Sequence, residues 1–194
     1  EDMSYNYPTI DEIGKVVLRE DFNPKHIEQV LALPLVDVER IRERKFKVVV
    51  DAVNSIGGVV IPALLRELGC EVVELNCEPT GEFAHNPEPL PENLTEISEV
   101  IRKEGADIGI VVDPDVDRLA FVMENGEMFV EEYTLVAVAD YVLKHTKGNT
   151  VSNLSSSRAL SDVTSRYEGC TYAAAAVGEV NVVKKMKDTG AVIG

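Results

Sequence analysis

Three aspartates at alternate positions are the residues of this chain whose types and spacing are best suited to chemistry. They are Asp113, Asp115 and Asp117, and they stand between two apolar stretches. Three carboxylates at this spacing repel one another strongly unless a hard cation lies among them, and an all-oxygen ligand set suits Mg²⁺ or Ca²⁺. Arg118 follows directly, and its guanidinium could share the oxygens of a phosphate with a bound divalent ion. The pattern therefore predicts a metal site that accepts a phosphate.

The elements that must position these aspartates follow from periodicity and from turn residues. The sequence predicts a β-α-β unit. A β-branched run is followed by a turn with Gly57 and Gly58, then by a stretch of helical period, and then by a second apolar run. The two glycines predict a tight turn and close packing at the start of the helix. An Asn-Gly turn at Asn125 predicts a hairpin, and helices and strands then alternate again. The predicted strands span 46–50, 71–75, 108–112, 119–123, 128–130, 150–154, 172–177 and 190–193. The predicted helices span 26–44 with a break at Pro34, 60–68, 91–105, 133–145, 158–167 and a last one through Met186.

The composition is typical of a soluble globular protein, and its charge balance is acidic. The chain has 194 residues, of which 45% are hydrophobic and 27% charged, so one large or two small domains are expected. A formal net charge of -15 argues against nucleic acid as a partner, because phosphate backbones are bound by clustered Lys and Arg. No stretch reaches the roughly 18 apolar residues of a membrane span, so no membrane partner is expected. Three cysteines without a Cys-x-x-Cys pair fit reduced thiols in a cytoplasm.

Two other classes of protein could use the same aspartates. In an EF-hand they would take positions 1, 3 and 5, and Glu124 would take position 12, which indicates a calcium-binding or interaction module. Arg118 stands where that loop needs Gly, and the flanks are strand-like instead of helical. In a haloacid-dehalogenase-like phosphatase Asp113 would be the nucleophile, but Asp117 stands where that motif has Thr or Val. Both classes remain as alternatives.

A third interpretation covers far more of the chain. The segments 48–58, 87–94 and 105–118 resemble, in order and spacing, the second domain of the α-D-phosphohexomutases. This is the family of bacterial phosphoglucomutase/phosphomannomutase. The segment 177–186 is similar to the start of that family's third domain. The resemblance implies mixed-sheet α/β domains of the phosphoglucomutase type, one complete and one truncated.

The resemblance also implies a division of the chain. Residues 1–25 would be a linker from a missing first domain, 26–130 the metal-binding second domain, and 131–194 a partial third domain. The family's phosphoserine belongs to the first domain. Ala84-His85-Asn86-Pro87 imitates the serine loop, but Ala84 stands where the serine belongs, so His85 is predicted to be a turn residue. No catalytic residue is therefore expected in this fragment.

The activity that the resemblance implies is intramolecular phosphoryl transfer. In the family a phosphoserine gives its phosphoryl group to one hydroxyl of a hexose phosphate and recovers it from another, through a bisphosphorylated sugar. The match implies Mg²⁺ ligation by Asp113, Asp115 and Asp117 and phosphate contact by Arg118. The fragment would be inactive alone, and its parent would be a cytoplasmic phosphohexomutase. The serines near Arg158, like Glu179, stand near places where the family contacts substrate, but N-capping explains the serines equally well.

Overall fold

Two β-sheets organise the part of the chain that the computed structural model describes, residues 7–130 and 132–194. The strands are β1 (Lys47–Asp51), β2 (Glu71–Leu75), β3 (Ile108–Val112), β4 (Leu119–Met123), β5 (Met128–Phe129), β6 (Asn149–Asn153), β7 (Tyr172–Ala175) and β8 (Ala191–Ile193). The helices are α1 (Phe22–Leu31), α2 (Val38–Arg44), α3 (Gly57–Glu67), α4 (Thr95–Glu104), α5 (Glu132–His145), α6 (Ala159–Thr164) and α7 (Glu179–Thr189), with short 3-10 helices at Ile10–Glu12 and Pro91–Asn93.

The first sheet is mixed, with the strand order β2-β1-β3-β4-β5. Strand β1 pairs in parallel with β2 and β3, whereas β4 runs antiparallel to both β3 and β5. Asp51 at the end of β1 is paired with Val111 of β3. The carboxyl ends of β1 and β3 therefore meet at one edge of the sheet, and the aspartates follow β3 at that edge. The predicted mixed-sheet α/β class is confirmed.

Helices cover both faces of this sheet, which explains why β1 and β3 carry consecutive apolar residues at 48–50 and 108–112. On one face Ile97 and Ile101 of α4 are fully buried in a cluster with Val49, Val111 and Val122. Each such side chain contributes about 1.5–3 kcal/mol by leaving water. On the other face α3 packs against β1 and β2. The edge that carries the aspartates is thus held by a core on each side.

The start of α3 approaches the rest of the domain more closely than any side chain would allow. A Cβ atom on Gly58 would lie 2.1 Å from the carbonyl oxygen of Cys77. A Cβ atom on Gly57 would lie 2.6 Å from Cγ2 of Val112 and 3.4 Å from Cγ2 of Val116. The prediction that these glycines permit close packing at the helix start is confirmed. The helix consequently touches the connection that carries the aspartates.

The second sheet is parallel, with β6 between β7 and β8. Its core includes a polar contact, because the hydroxyls of Thr150 and Thr164 lie 2.6 Å apart and are fully buried. Tyr167 donates to a carboxylate oxygen of Asp140 at 2.7 Å and so ties the segment after α6 to α5. The longest helix in the described ranges, α5, has 14 residues, and none of the helices there combines the length and apolarity that a bilayer crossing requires.

Several helix boundaries differ from the prediction: α3 begins at Gly57 instead of residue 60, α4 at Thr95 instead of residue 91, and α7 ends at Thr189 instead of Met186. Two further differences have a clear physical reason. Helix α1 begins at Phe22 instead of residue 26, because Pro24 occupies the first turn, where its missing N–H leaves no hydrogen bond unmade. Helix α6 ends at Thr164 instead of residue 167. The backbone N–H groups of Arg166 and Tyr167 bond to residues three positions back, so the chain there forms tight turns. Neither change moves the strands that position the aspartates.

Partial burial perturbs the thiol of one cysteine, Cys77. The Cys77 thiol lies close to the carbonyl oxygens of Leu75 and Val50, at 3.3 and 3.5 Å. Burial, with a smaller effect of the Glu74 carboxylate, raises its pKa to about 11. We expect iodoacetamide at pH 8 to modify Cys77 about a hundredfold more slowly in the folded chain than in urea, because the thiolate reacts. Peptide mass spectrometry over time measures both rates, and equal rates would contradict this burial.

Candidate metal centre

The three aspartates converge on the connection between β3 and β4, which we call the aspartate loop (residues 113–118). One carboxylate oxygen from each of Asp113, Asp115 and Asp117 lies within 4.8 Å of the others. Oxygens that bind one Mg²⁺ at about 2.1 Å lie roughly 3 to 4 Å apart, so small side-chain rotations would close the set around an ion. The donor set, all carboxylate oxygen, fits a hard divalent cation.

A tight turn gives the aspartate loop its shape. The backbone N–H of Val116 donates to the carbonyl oxygen of Asp113 at 3.2 Å. The N–H of Arg118 donates to Oδ1 of Asp113 at 3.1 Å, which fixes this buried carboxylate at the end of β3. Val116 has a φ of 63°, a conformation that costs a β-branched residue about 1–3 kcal/mol. The loop holds this strained backbone at the point where its three carboxylates are brought together.

The charges of the aspartate loop favour a cation. A hydrogen bond with Asp113, followed by the negative charges of Asp115 and Asp113, raises the pKa of Asp117. A raised pKa means that the folded chain binds the proton of Asp117 more tightly than the unfolded chain does. The protonated group therefore stabilises the fold at low pH, and this stabilisation is lost as the pH rises through the raised pKa. A divalent ion among the three groups would remove the repulsion that causes the shift.

Arg118 faces the aspartates, as the sequence predicted. Its Nε atom lies 3.8 Å from Oδ2 of Asp113 and 3.9 Å from Oδ1 of Asp117. Its Nη1 atom donates to the carboxylate of Glu88, which comes from the segment that follows β2. The guanidinium is half exposed and therefore open to a ligand beside the loop. The structure brings all four predicted site residues together.

A histidine contact at this edge was missed by the sequence analysis. His85 lies in a bend, as predicted, but its Nε2 atom is also 3.0 Å from Oδ2 of Asp51. Asp51 is 1% exposed, and its other oxygen accepts the N–H of Val53 at 3.1 Å. The position of Asp51 at the carboxyl end of a parallel strand was the signal that could have revealed it. Asp51 thus anchors the segment after β2 next to the aspartate loop.

The serine-rich turn after β6 borders a cavity of about 350 Å³. Oδ1 of Asn153 accepts the Ser155 hydroxyl at 2.6 Å and the Ser155 N–H at 3.0 Å, so the side chain of Asn153 holds the turn. The Ser157 hydroxyl accepts the N–H of Ala159 at 3.3 Å, and the N–H of Ser157 donates to a carboxylate oxygen of Glu132 at 3.2 Å. The contacts of these serines are thus those of a turn before α6, whose N-cap residue is Arg158.

The EF-hand alternative does not fit this geometry. An EF-hand loop joins two helices, whereas the aspartate loop joins β3 and β4, which pair antiparallel. Val112 is paired with Leu119 next to the loop, and Glu124 follows the far end of β4. A five-residue strand spans about 17 Å, so Glu124 cannot complete a coordination shell with Asp113. The EF-hand alternative requires Glu124 as a ligand, and this prediction is wrong.

Comparisons with known proteins show which proteins this chain is similar to. A family model described as phosphoglucomutase/phosphomannomutase, alpha/beta/alpha domain II, matches residues 24–126, and the model for domain III of the same family matches residues 131–194. The phosphoglucomutase/phosphomannomutase of Thermococcus kodakarensis is 39% identical over 186 residues, which are 95% of this chain and 40% of that protein. A protein of Methanopyrus kandleri, named "probable phosphoglucosamine mutase", is 35% identical over 195 residues, which cover 100% of this chain and 42% of that protein.

A solved structure also shares the fold. The crystal structure of a phosphoglucomutase/phosphomannomutase family protein from Burkholderia thailandensis superimposes with a TM-score of 0.72 and 30% sequence identity. The match covers 87% of this chain and 37% of that one. This chain therefore spans about two fifths of the length of the relatives that it matches.

Proposed function

Because this chain belongs to the phosphoglucomutase/phosphomannomutase family, we propose that it supplies the metal-binding unit of a phosphohexomutase. Such an enzyme is an intramolecular phosphotransferase that interconverts hexose 1-phosphate and hexose 6-phosphate through a bisphosphorylated sugar. The convergence of Asp113, Asp115 and Asp117 within 4.8 Å is the observation that carries the proposal. The phosphoserine would come from another part of the protein, so these 194 residues alone would lack mutase activity.

The roles of the site residues follow from their chemistry. Asp113, Asp115 and Asp117 would hold Mg²⁺, which supplies positive charge to the oxygens of a transferring phosphoryl group. Arg118 would bind a phosphate oxygen through the part of its guanidinium that faces the aspartates. Phosphoryl transfer depends mostly on positioning and on charge neutralisation. This unit would therefore contribute positive charge, from the metal ion and Arg118, that is held in place beside the phosphate. The ligand would be a hexose phosphate.

The arrangement of the chain and its location are part of the proposal. Residues 26–130 would form the metal-binding unit and residues 131–194 a further unit, after a linker at 1–25. The last four residues of this linker already belong to α1, and its residues 1–6 lie outside the described ranges. The two family matches, at 24–126 and 131–194, support this division. The free thiols of Cys70, Cys77 and Cys170 support a cytoplasmic location. The net charge of -15 favours a small phosphorylated partner held by a metal ion over nucleic acid.

Replacement of Asp115 by Asn tests the metal site. We expect Asp115→Asn to weaken Mg²⁺ binding at least about tenfold, because one of three ligand charges is lost. Isothermal titration calorimetry of the 194-residue chain measures the affinity. Asp115 is exposed, so the change spares the core. Equal Mg²⁺ affinity in Asp115→Asn and in the unchanged chain would contradict the proposed metal site.

Glu124→Gln is the matched control for this experiment. It removes the same charge from an exposed position beyond the far end of β4. We expect its Mg²⁺ affinity to equal that of the unchanged chain. A loss of Mg²⁺ affinity in Glu124→Gln as large as that in Asp115→Asn would contradict the assignment of the site to the aspartate loop.

A further inference from the structure

Glu88 contacts Arg118 from the side away from the aspartates. The Glu88 carboxylate accepts a hydrogen bond from Nη1, whereas Nε faces Asp113 and Asp117 at 3.8 and 3.9 Å. A guanidinium is planar, and Nη1 and Nε lie at different corners of it. One carboxylate thus holds one corner while another corner is directed at the cation ligands. Glu88 thus holds Nη1, while Nε is too far from the aspartates for a hydrogen bond and stays available to a ligand.

Glu88 itself is held by a chain of contacts that ends in the core. Its N–H donates to Oδ1 of Asn86 at 3.2 Å, and its carbonyl oxygen accepts from Nδ2 of Asn93 at 2.8 Å. The carbonyl oxygen of Asn86 lies 2.8 Å from Nδ1 of His85, whose Nε2 contacts the buried Asp51. The backbone around Glu88 is therefore fastened to the carboxyl end of β1. Because the backbone of Glu88 is already ordered, its side chain loses less conformational entropy when it binds and orients Arg118.

We infer that Glu88 is a positioning residue that orients Arg118 so that its Nε side meets a phosphate shared with the metal ion. The inference rests on the proposed function and adds to it a residue outside the aspartate loop. A long arginine side chain that is half exposed would otherwise sample many rotamers, and an ordered one binds an anion with less entropic cost. The substrate class is a phosphate monoester.

The Glu88–Arg118 contact could have the opposite effect, if the Glu88 carboxylate competed with phosphate for the guanidinium. If Glu88 blocked the guanidinium, its loss would strengthen phosphate binding. The geometry favours orientation, because Glu88 bonds to Nη1 and leaves the Nε side facing the aspartates. The Glu88–Arg118 pair is also half exposed, and such pairs add little to stability. Its loss should consequently change ligand binding without unfolding the chain.

Glu88→Gln in the 194-residue chain tests the inference with Mn²⁺ and inorganic phosphate as the probes. Phosphorus-31 NMR measures how strongly chain-bound Mn²⁺ broadens the phosphate signal, and a titration gives the phosphate affinity. We expect this affinity to fall about two- to fivefold in Glu88→Gln, the range of an exposed ion pair. The Mn²⁺ affinity without phosphate, measured by electron paramagnetic resonance, should stay unchanged.

Glu82→Gln is the matched control, since Glu82 is exposed, lies in the same segment and forms no ion pair among residues 7–130 and 132–194. It should leave both affinities unchanged. Equal phosphate affinity in Glu88→Gln and the unchanged chain would overturn the inference, and so would tighter binding. A parallel fall in Mn²⁺ affinity would indicate a merely structural role and would also overturn it. If the unchanged chain binds no Mn²⁺, the proposed function fails and the inference fails with it.

Discussion

Asp113→Asn is expected to weaken Mg²⁺ binding about 100-fold, more than a change at either of the other aspartates. The side chain of Asp113 is 8% exposed, whereas that of Asp117 is 70% exposed, so water screens the charge of Asp113 far less. Asn keeps an oxygen that can accept the N–H of Arg118, which preserves the turn. The effect therefore reports the lost charge. Isothermal titration calorimetry with Mg²⁺ measures it.

Asp117→Asn provides the comparison, because it removes the same charge from the exposed end of the same loop. We expect a loss of about tenfold there. An Asp113→Asn protein that binds Mg²⁺ as well as Asp117→Asn does would show that burial of the first ligand has no effect on affinity. Circular dichroism of each variant confirms that the fold is retained.

Gly58→Ala is expected to destabilise the chain by about 3 kcal/mol or more. The new methyl group would lie 2.1 Å from the carbonyl oxygen of Cys77, and a backbone atom held next to β2 cannot rotate away. Helix α3 would have to shift, and its contacts with β1 and β2 would loosen. Urea unfolding measures the free energy. The variant and the unchanged chain are compared at one temperature.

Gly14→Ala controls for the general effect of replacing glycine with alanine. A Cβ atom at Gly14 meets nothing within 4 Å, so its free energy of unfolding should change by less than about 0.5 kcal/mol. If Gly58→Ala is as stable as Gly14→Ala, α3 does not pack against the segment after β2 as closely as described.

The elements nearest the site could be predicted because their signals are local. The strands at 108–112 and 119–123 are apolar runs bounded by charged residues, and both have the predicted bounds. The aspartate loop lies between them, so the three aspartates and Arg118 were visible in six consecutive residues. No long-range contact had to be known to identify them. The antiparallel pairing of these strands then brings the carboxylates together.

The contacts that support the site could not be predicted in this way. His85 is 34 residues from Asp51, and Glu88 is 30 residues from Arg118. They meet because an irregular segment crosses the carboxyl ends of the strands, and neither helical nor strand periodicity specifies such a path. The early start of α1 was missed for a different reason, since Pro24 can either break a helix or occupy its first turn.

The four charged groups of the aspartate loop come from a single hairpin connection, whereas the partner of Arg118 comes from a remote segment. On the proposed function, affinity for the ion and orientation of the guanidinium toward the anion would be encoded in separate stretches of the gene. Selection, or a protein engineer, could alter the second stretch to suit a different phosphorylated compound while leaving the ion's coordination intact.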